Sequence, residues 1–194
     1  MVQRGIRIAE TRVRFPVSPP FMDIRNEIGI IPTDTIYGLV GQALDKKIVE
    51  RIYAAKGRRP DKPFIILIYS IKELSLFGVK LSSAETKIIE KYWPGKVSII
   101  LPCPAKKFEY LHRGTKSLAF RLPRKKSLLT ILKKTGPLVA PSANPEGQAP
   151  AKNITEAKKY FGDKVDLYIA GAKLAGKASK IIKLIDSKIE IIRP

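Results

Sequence analysis

The sequence predicts an α/β domain built on a twisted mixed β-sheet flanked by helices, and three features carry that reading. Short β-branched runs such as Phe64 to Ile68 and Val97 to Leu101 alternate with segments of helical spacing, the order in which strands and helices build α/β layers. Two late apolar runs, Ile181 to Ile185 and Ile189 to Ile192, flank Asp186-Ser187-Lys188 and read as a closing hairpin, which makes the sheet mixed rather than purely parallel. A hydrophobic fraction of 44% in 194 residues supports one packed core and excludes a disordered polyelectrolyte.

Residues 1–26 are basic and carry Pro16, Pro19 and Pro20, so they are expected to lie as an irregular arm over the domain, whose body is residues 27–194. Gly29 to Pro32 is a short strand ending in a turn. Asp45 caps a helix whose Ile48, Ile52 and Ala55 share one face. Phe64 to Ile68 is apolar throughout, as a strand covered on both faces requires. Ser82 or Ser83 caps the next helix, through Ile88, Ile89 and Tyr92, which Pro94-Gly95 ends. Val97 to Leu101, Leu118 to Leu122 and Leu138 to Ala140 are further strands, with a helix through Leu128, Leu129 and Leu132 between the last two. Ile154 to Tyr160 is a helix and Leu167 to Ala170 a strand. There is no internal repeat and no interdomain linker.

Charge narrows the partners. With 37 Lys and Arg against 17 Asp and Glu, the net charge is +20, which favours phosphates, nucleotides or nucleic acid. Between Ala105 and Lys134 ten basic residues face the single Glu109. That segment is either a solvated lysine-rich surface or a phosphate or RNA footprint. A lone Cys103 and a lone His112 make a disulfide or a protein-held zinc or iron site unexpected. Phe64 to Tyr69 is too short to cross a bilayer, and Met1 to Glu10 has no signal-peptide core, so a soluble, cytoplasmic protein without membrane contact is expected.

Gly171-Ala-Lys-Leu-Ala-Gly176-Lys177 imitates a phosphate loop. Its next residue is Ala178, which lacks the hydroxyl that holds magnesium there, and the β-branched residues after it favour a strand over a helix. A plain glycine-containing connection is the better reading.

Four polar clusters lie in turns between the strands: Pro32 to Leu39, Lys56 to Pro63, Ser117 to Pro123 around Arg121, and Pro141-Ser142-Ala143-Asn144. Loops between buried strands are where binding groups gather. Lys56 and Arg58 taken alone would also suit a helix C-terminus.

In their order, Pro32-Thr-Asp-Thr-Ile-Tyr-Gly-Leu39, Lys56-Gly-Arg58, Tyr92-Trp-Pro-Gly95, Arg121-Leu-Pro123 and Ala140-Pro-Ser-Ala-Asn144 resemble the motifs of the YrdC-type threonylcarbamoyl-AMP synthases. The resemblance runs from about Glu27 to Arg193. It implies a YrdC-like catalytic domain with a concave basic face, and an enzyme joining L-threonine, bicarbonate and ATP into threonylcarbamoyl-AMP with release of pyrophosphate. A downstream threonylcarbamoyl transferase then modifies tRNA. Magnesium is implied to arrive on ATP, with no metal held by the protein itself. Lys56 and Arg58 are the implied catalytic cations. Together with Lys62, Ser117, Ala140, Ser142, Asn144 and Arg193 they would contact ATP. Thr33, Thr35, Arg121 and Ser179 would frame threonine, Arg121 gripping its carboxylate as a fork.

Tyr37 is expected to stack or to pack, and Trp93 and Gly95 to be structural. The chain departs from the family pattern at Leu67, at Glu146-Gly147 and at Ser179-Lys180, where Lys180 would add charge beside the threonine pocket. Two alternatives remain at this level: a carbamoyl-adenylating paralogue, or a tRNA- or double-stranded-RNA-binding module without catalysis.

Overall fold

Where the sequence has β-branched runs the chain forms strands, and the sheet they build is wider than the runs alone suggest. The computed structural model describes residues 12–14, 24 and 26–194. Most of the expected N-terminal arm thus lies outside the described residues, but Arg12–Arg14 is a strand, β1. The others are β2 Gly29–Pro32, β3 Tyr37–Gln42, β4 Ile65–Leu67, β5 Val97–Pro102, β6 Ser117–Arg121, β7 Leu138–Val139, β8 Leu167–Ile169, β9 Lys180–Ile185 and β10 Lys188–Arg193. Among the described residues they form one ten-stranded sheet in the order β1-β8-β2-β3-β7-β4-β6-β5-β9-β10. β1 and β2 run parallel to β8, β4 to β6 and β5 to β9, whereas the remaining neighbours are antiparallel. The sheet is mixed, as the closing hairpin required.

Helices α1 Lys46–Lys56, α2 Ser83–Glu90, α3 Glu109–His112, α4 Lys126–Thr135 and α5 Ile154–Phe161 connect the strands. Their ends obey local chemistry. The Asp45 carboxylate accepts from the amides of Lys47 and Ile48, and Gly57, in the left-handed region that non-glycine residues avoid, closes the other end of α1. Ser82 and Glu85 form a reciprocal capping box on α2.

Strand alternation splits the core. Ile30, Leu39, Ile66, Ile99, Phe120 and Ile182 turn to one face, where Val49 and Ile52 of α1 and Phe161 of α5 cover them. Ile31, Val40, Leu67 and Leu138 turn to the other, where Leu128 and Leu132 of α4 cover only part of the sheet. A polar cleft opens on that second face, beyond the reach of α4.

Two features were hidden in the sequence. β3 begins within the expected polar loop and is interrupted by Gly38 and Gly41, yet it pairs with β2 from Gly29↔Val40 to Pro32↔Tyr37. The β9–β10 register slips between Ile191 and Arg193. Such a bulge inserts one extra residue and re-aims the side chains beyond it, here setting Arg193 opposite Ile181, which lines the cleft.

Candidate active site

The β2–β3 turn builds the first wall. The Thr33 hydroxyl donates to the Ile36 carbonyl at 2.6 Å and accepts from the amides of Thr35 and Ile36. This closes the turn and leaves the neighbouring Thr35 hydroxyl to accept from Arg121 Nη1 at 3.1 Å. Arg121 ends β6, sharing a face with Ser117 and Ala119, and is only 4% exposed.

Beside it lies Asp34, whose Oδ1 is 3.0 Å from Arg121 Nη2. The Asp34 carboxylate oxygens are buried and make no hydrogen bond, so charge alone couples the pair. Burial pushes the Arg121 pKa down, Asp34 opposes that shift, and Arg193 adds to it. Lys125 closes the same turn from below, donating to the Pro32 and Thr33 carbonyls at 3.1 Å.

Main-chain pairing supplies the second wall. Beyond β7 the chain continues along β3: the Leu39 amide donates to the Pro141 carbonyl, Gly38 bridges Ser142, and the Ala143 amide donates to the Tyr37 carbonyl. Ala140, Pro141 and Ser142 are thereby placed in the cleft. Lys56 lies behind them, 2% exposed. Its ammonium donates to the Ser142 carbonyl at 2.7 Å and to the Asn144 carbonyl at 2.6 Å, with Asn144 Oδ1 at 3.2 Å. Burial first, and Arg58 second, lower its pKa to about 8.

The third wall is the loop after α1. Arg58 lines the cleft, lies over the Phe64 ring and donates through Nε to the Lys62 carbonyl. Lys62 pairs with Glu146, whose other oxygen accepts from the Arg59 amide. The hydrogen bond from Lys62, then that from the Arg59 amide, holds the Glu146 carboxyl down to about 2.

The segment from β8 into β9 completes the cleft. The Ser179 and Ser98 hydroxyls are 2.9 Å apart, both buried. The Ser179 carbonyl accepts from Arg193 Nε and Nη2. Gly176 passes so close to Thr35 that a Cβ there would sit 2.5 Å from its carbonyl oxygen. This connection is the phosphate-loop look-alike, and it leads into strand β9 rather than a helix.

Together these walls enclose about 160 Å³ lined by Thr33, Thr35, Arg58, Arg121, Ala140, Ser142, Ser179 and Arg193 among the expected residues. Four others are elsewhere. Lys56 is turned to carbonyls behind the wall because they satisfy its buried ammonium. Asn144 is 7% exposed, and its side-chain amide donates to the Pro145 and Gln148 carbonyls, so it shapes the loop. Lys62 is held at the rim by Glu146. Ser117, at the opposite end of β6 from Arg121, lines a separate groove with Lys116 and Lys183.

Lys180 also departs from its expected place, since Ile181 faces the cleft and alternation turns Lys180 to the opposite side. Leu67 packs in the α4 cluster. Tyr37 is fully buried, lines the cleft and donates to the Ala172 carbonyl, so it packs. The Trp93 indole donates to the Val97 carbonyl, and the Gly95 amide to that of Leu122.

Asp34, Ser98, Lys125 and Glu146 were not selected as site residues from the sequence. Asp34 and Glu146 could have been, since the first stands inside the Thr33-Asp-Thr35 motif and the second at a departure from the family pattern. Among the described residues no group of His, Cys, Asp or Glu could hold a metal ion, and no helix is long and apolar enough to cross a membrane.

Known proteins resemble this chain in sequence and in fold. The threonylcarbamoyl-AMP synthase of Pyrococcus abyssi is 29% identical over 190 residues, covering 97% of this chain and 55% of the relative. That of Bacillus subtilis is 33% identical over 173 residues, covering 87% and 50%. The chain therefore spans about half the length of these relatives. The crystal structure of Pyrococcus abyssi Sua5 complexed with L-threonine matches with a TM-score of 0.79 at 30% identity, covering 87% of this chain and 50% of that one. The sequence profile of the Sua5/YciO/YrdC family, described as telomere recombination, matches residues 24–194, and the chain belongs to that family.

Proposed function

We propose that this chain is an L-threonylcarbamoyladenylate synthase, a nucleotidyltransferase forming threonylcarbamoyl-AMP and pyrophosphate from L-threonine, bicarbonate and ATP. One observation carries the reading: a single cleft offers a buried guanidinium, Arg121, and separate cations, Arg58 and Arg193, on its other walls. Two anionic groups can thus be held against one another. The relatives' names and the threonine-bound Pyrococcus structure support the identity of those groups.

In the first step the threonine amine condenses with bicarbonate to a carbamate, releasing water. A carbamate oxygen then attacks the α-phosphorus of ATP, the bond to the oxygen bridging to the β-phosphate breaks, and pyrophosphate leaves; magnesium carried on the nucleotide would add to the neutralisation of its phosphates. No covalent nucleophile is required, so positioning and charge neutralisation supply the catalysis. In this reading Arg121 and the Thr35 hydroxyl hold the threonine carboxylate, and Ser179 lies against the same substrate. Arg58, Arg193 and Ser142 meet the phosphates. Lys56 acts from behind by fixing the Ser142 to Asn144 backbone. The product is a reactive mixed anhydride, suited to hand its threonylcarbamoyl group to a transferase acting on tRNA.

The test is pyrophosphate release from ATP, which is expected to require both L-threonine and bicarbonate. Arg121→Lys keeps the charge but loses the fork, and is expected to raise the KM for threonine more than that for ATP. Pyrophosphate formed without threonine, or a KM for threonine unchanged in Arg121→Lys, would overturn the assignment.

A further inference from the structure

We propose that Glu146 is an internal competitor for the nucleotide's phosphates, a built-in anion that sets how tightly the rim cations take ATP and how readily they release pyrophosphate. This rests on the proposed nucleotide-binding function.

The geometry is that of an anion seat filled by the protein's own carboxylate. Glu146 Oε2 accepts from the Arg59 amide at 2.8 Å, and Oε1 accepts from Lys62 Nζ. Its own amide donates to the Lys56 carbonyl at 3.0 Å, fixing the carboxylate beside the loop after α1. Arg58 and Lys56 also feel its charge. One backbone N–H and one ammonium therefore hold the carboxylate, while Arg58 and Lys56 act on it through their charge alone. The same donor set recognises a phosphate group, and Arg58 makes the seat continuous with the cleft.

Exposure leaves this pair open to exchange. The Lys62 and Glu146 side chains are 43% and 26% exposed, against 5% and 7% for Arg121 and Asp34. An exposed ion pair contributes little to fold stability. A phosphate group carrying more charge than a carboxylate is the stronger partner for Lys62 and the Arg59 amide, so nucleotide displaces Glu146. When pyrophosphate departs, the carboxylate takes these donors back and favours its release.

Glu146→Gln keeps the shape and removes the charge. Calorimetric titration with ATP, and separately with pyrophosphate, is expected to give about fivefold tighter binding of each in this variant at low salt, the gain shrinking as salt is raised. In a Lys62→Ala background the gain should disappear. Equal or weaker binding in Glu146→Gln, or a gain that survives loss of Lys62, would show that Glu146 merely staples two loops. Should the variant fold poorly, the unaltered chain provides the second measurement. The carboxyl carbon resonance of Glu146 should shift as pyrophosphate is titrated in, and a resonance unmoved at saturation overturns the proposal. A chain that binds ATP with no response to Glu146→Gln defeats this inference alone, whereas one that binds no ATP defeats the proposed function as well.

Discussion

Two ion pairs flank the cleft with the same chemistry and opposite settings. Arg121–Asp34 is almost sealed from water, whereas Lys62–Glu146 stands at the rim with both partners accessible. Water screens the rim pair and can replace either partner, so that contact is free to open when a stronger anion arrives. Inside, each charge has given up its hydration and depends on the other, so removing one strands its partner. The difference assigns different work: the inner pair holds a cation in a fixed place, and the outer pair regulates access to cations that must change partners.

Breaking the inner pair is therefore expected to have the largest effect. Asp34→Asn leaves Arg121 buried without its counter-charge and should cost about 3–5 kcal/mol in urea unfolding. Because the threonine carboxylate would supply the missing charge, L-threonine should stabilise this variant more than the unaltered chain. A loss below about 1 kcal/mol, or no differential rescue, would mean that the two pairs are energetically alike.

Lys56 sharpens the contrast, being as buried as Arg121 but held by carbonyls instead of a carboxylate. Lys56→Met should destabilise by about 2–4 kcal/mol, since two buried carbonyls lose their donor, and should abolish pyrophosphate formation as the Ser142 wall loosens. The pH dependence has a definite sign. The folded value of about 8 lies below the usual 10.5, so between these limits the unfolded chain binds a proton that the folded chain has lost. Stability from this group therefore rises with pH across that window, by about 3 kcal/mol in full. The unfolding free-energy difference between the unaltered chain and Lys56→Met should grow from pH 7.5 to 10, and a flat difference would contradict it.

Gly176→Ala tests the roof over the inner pair. The added methyl meets the Thr35 carbonyl, which is backbone and cannot swing aside, so a loss of about 1–3 kcal/mol is expected. The KM for threonine should rise as the Thr33 to Thr35 turn shifts. An unchanged KM would detach this connection from the site.

How much of this could be seen in the sequence depended on how local the physics is. Strands such as Phe64 to Ile68, the Asp45 cap and a serine cap at Ser82 or Ser83 are decided within a few residues, and they were legible, though which serine caps, and its partner Glu85, came from the structure. So was the clustering of Arg58, Arg121, Ser142 and Arg193, through ordered motifs. β3 was not, because Gly38 and Gly41 interrupt its pattern and its place comes from main-chain pairing on both sides. The direction of Lys56 was not, because its acceptors lie 86 and 88 residues away. Lys180 was misplaced for a simpler reason: on a strand, one residue of register decides which face a side chain joins.

The rim pair supplies the smallest effect on stability and the sharpest check on the comparison. Lys62→Ala removes a contact that water already screens, so its melting temperature should stay within about 3 °C of the unaltered chain. Its affinity for ATP should nevertheless fall, because Lys62 lends a charge to the phosphates once Glu146 has been displaced. The two readouts must separate, a near-silent melting curve beside a weakened nucleotide isotherm whose salt dependence is shallower than that of the unaltered chain. If melting temperature and affinity fall together, Lys62–Glu146 is holding the loops in place as Arg121–Asp34 holds the turn, and the division of work between the two pairs does not exist.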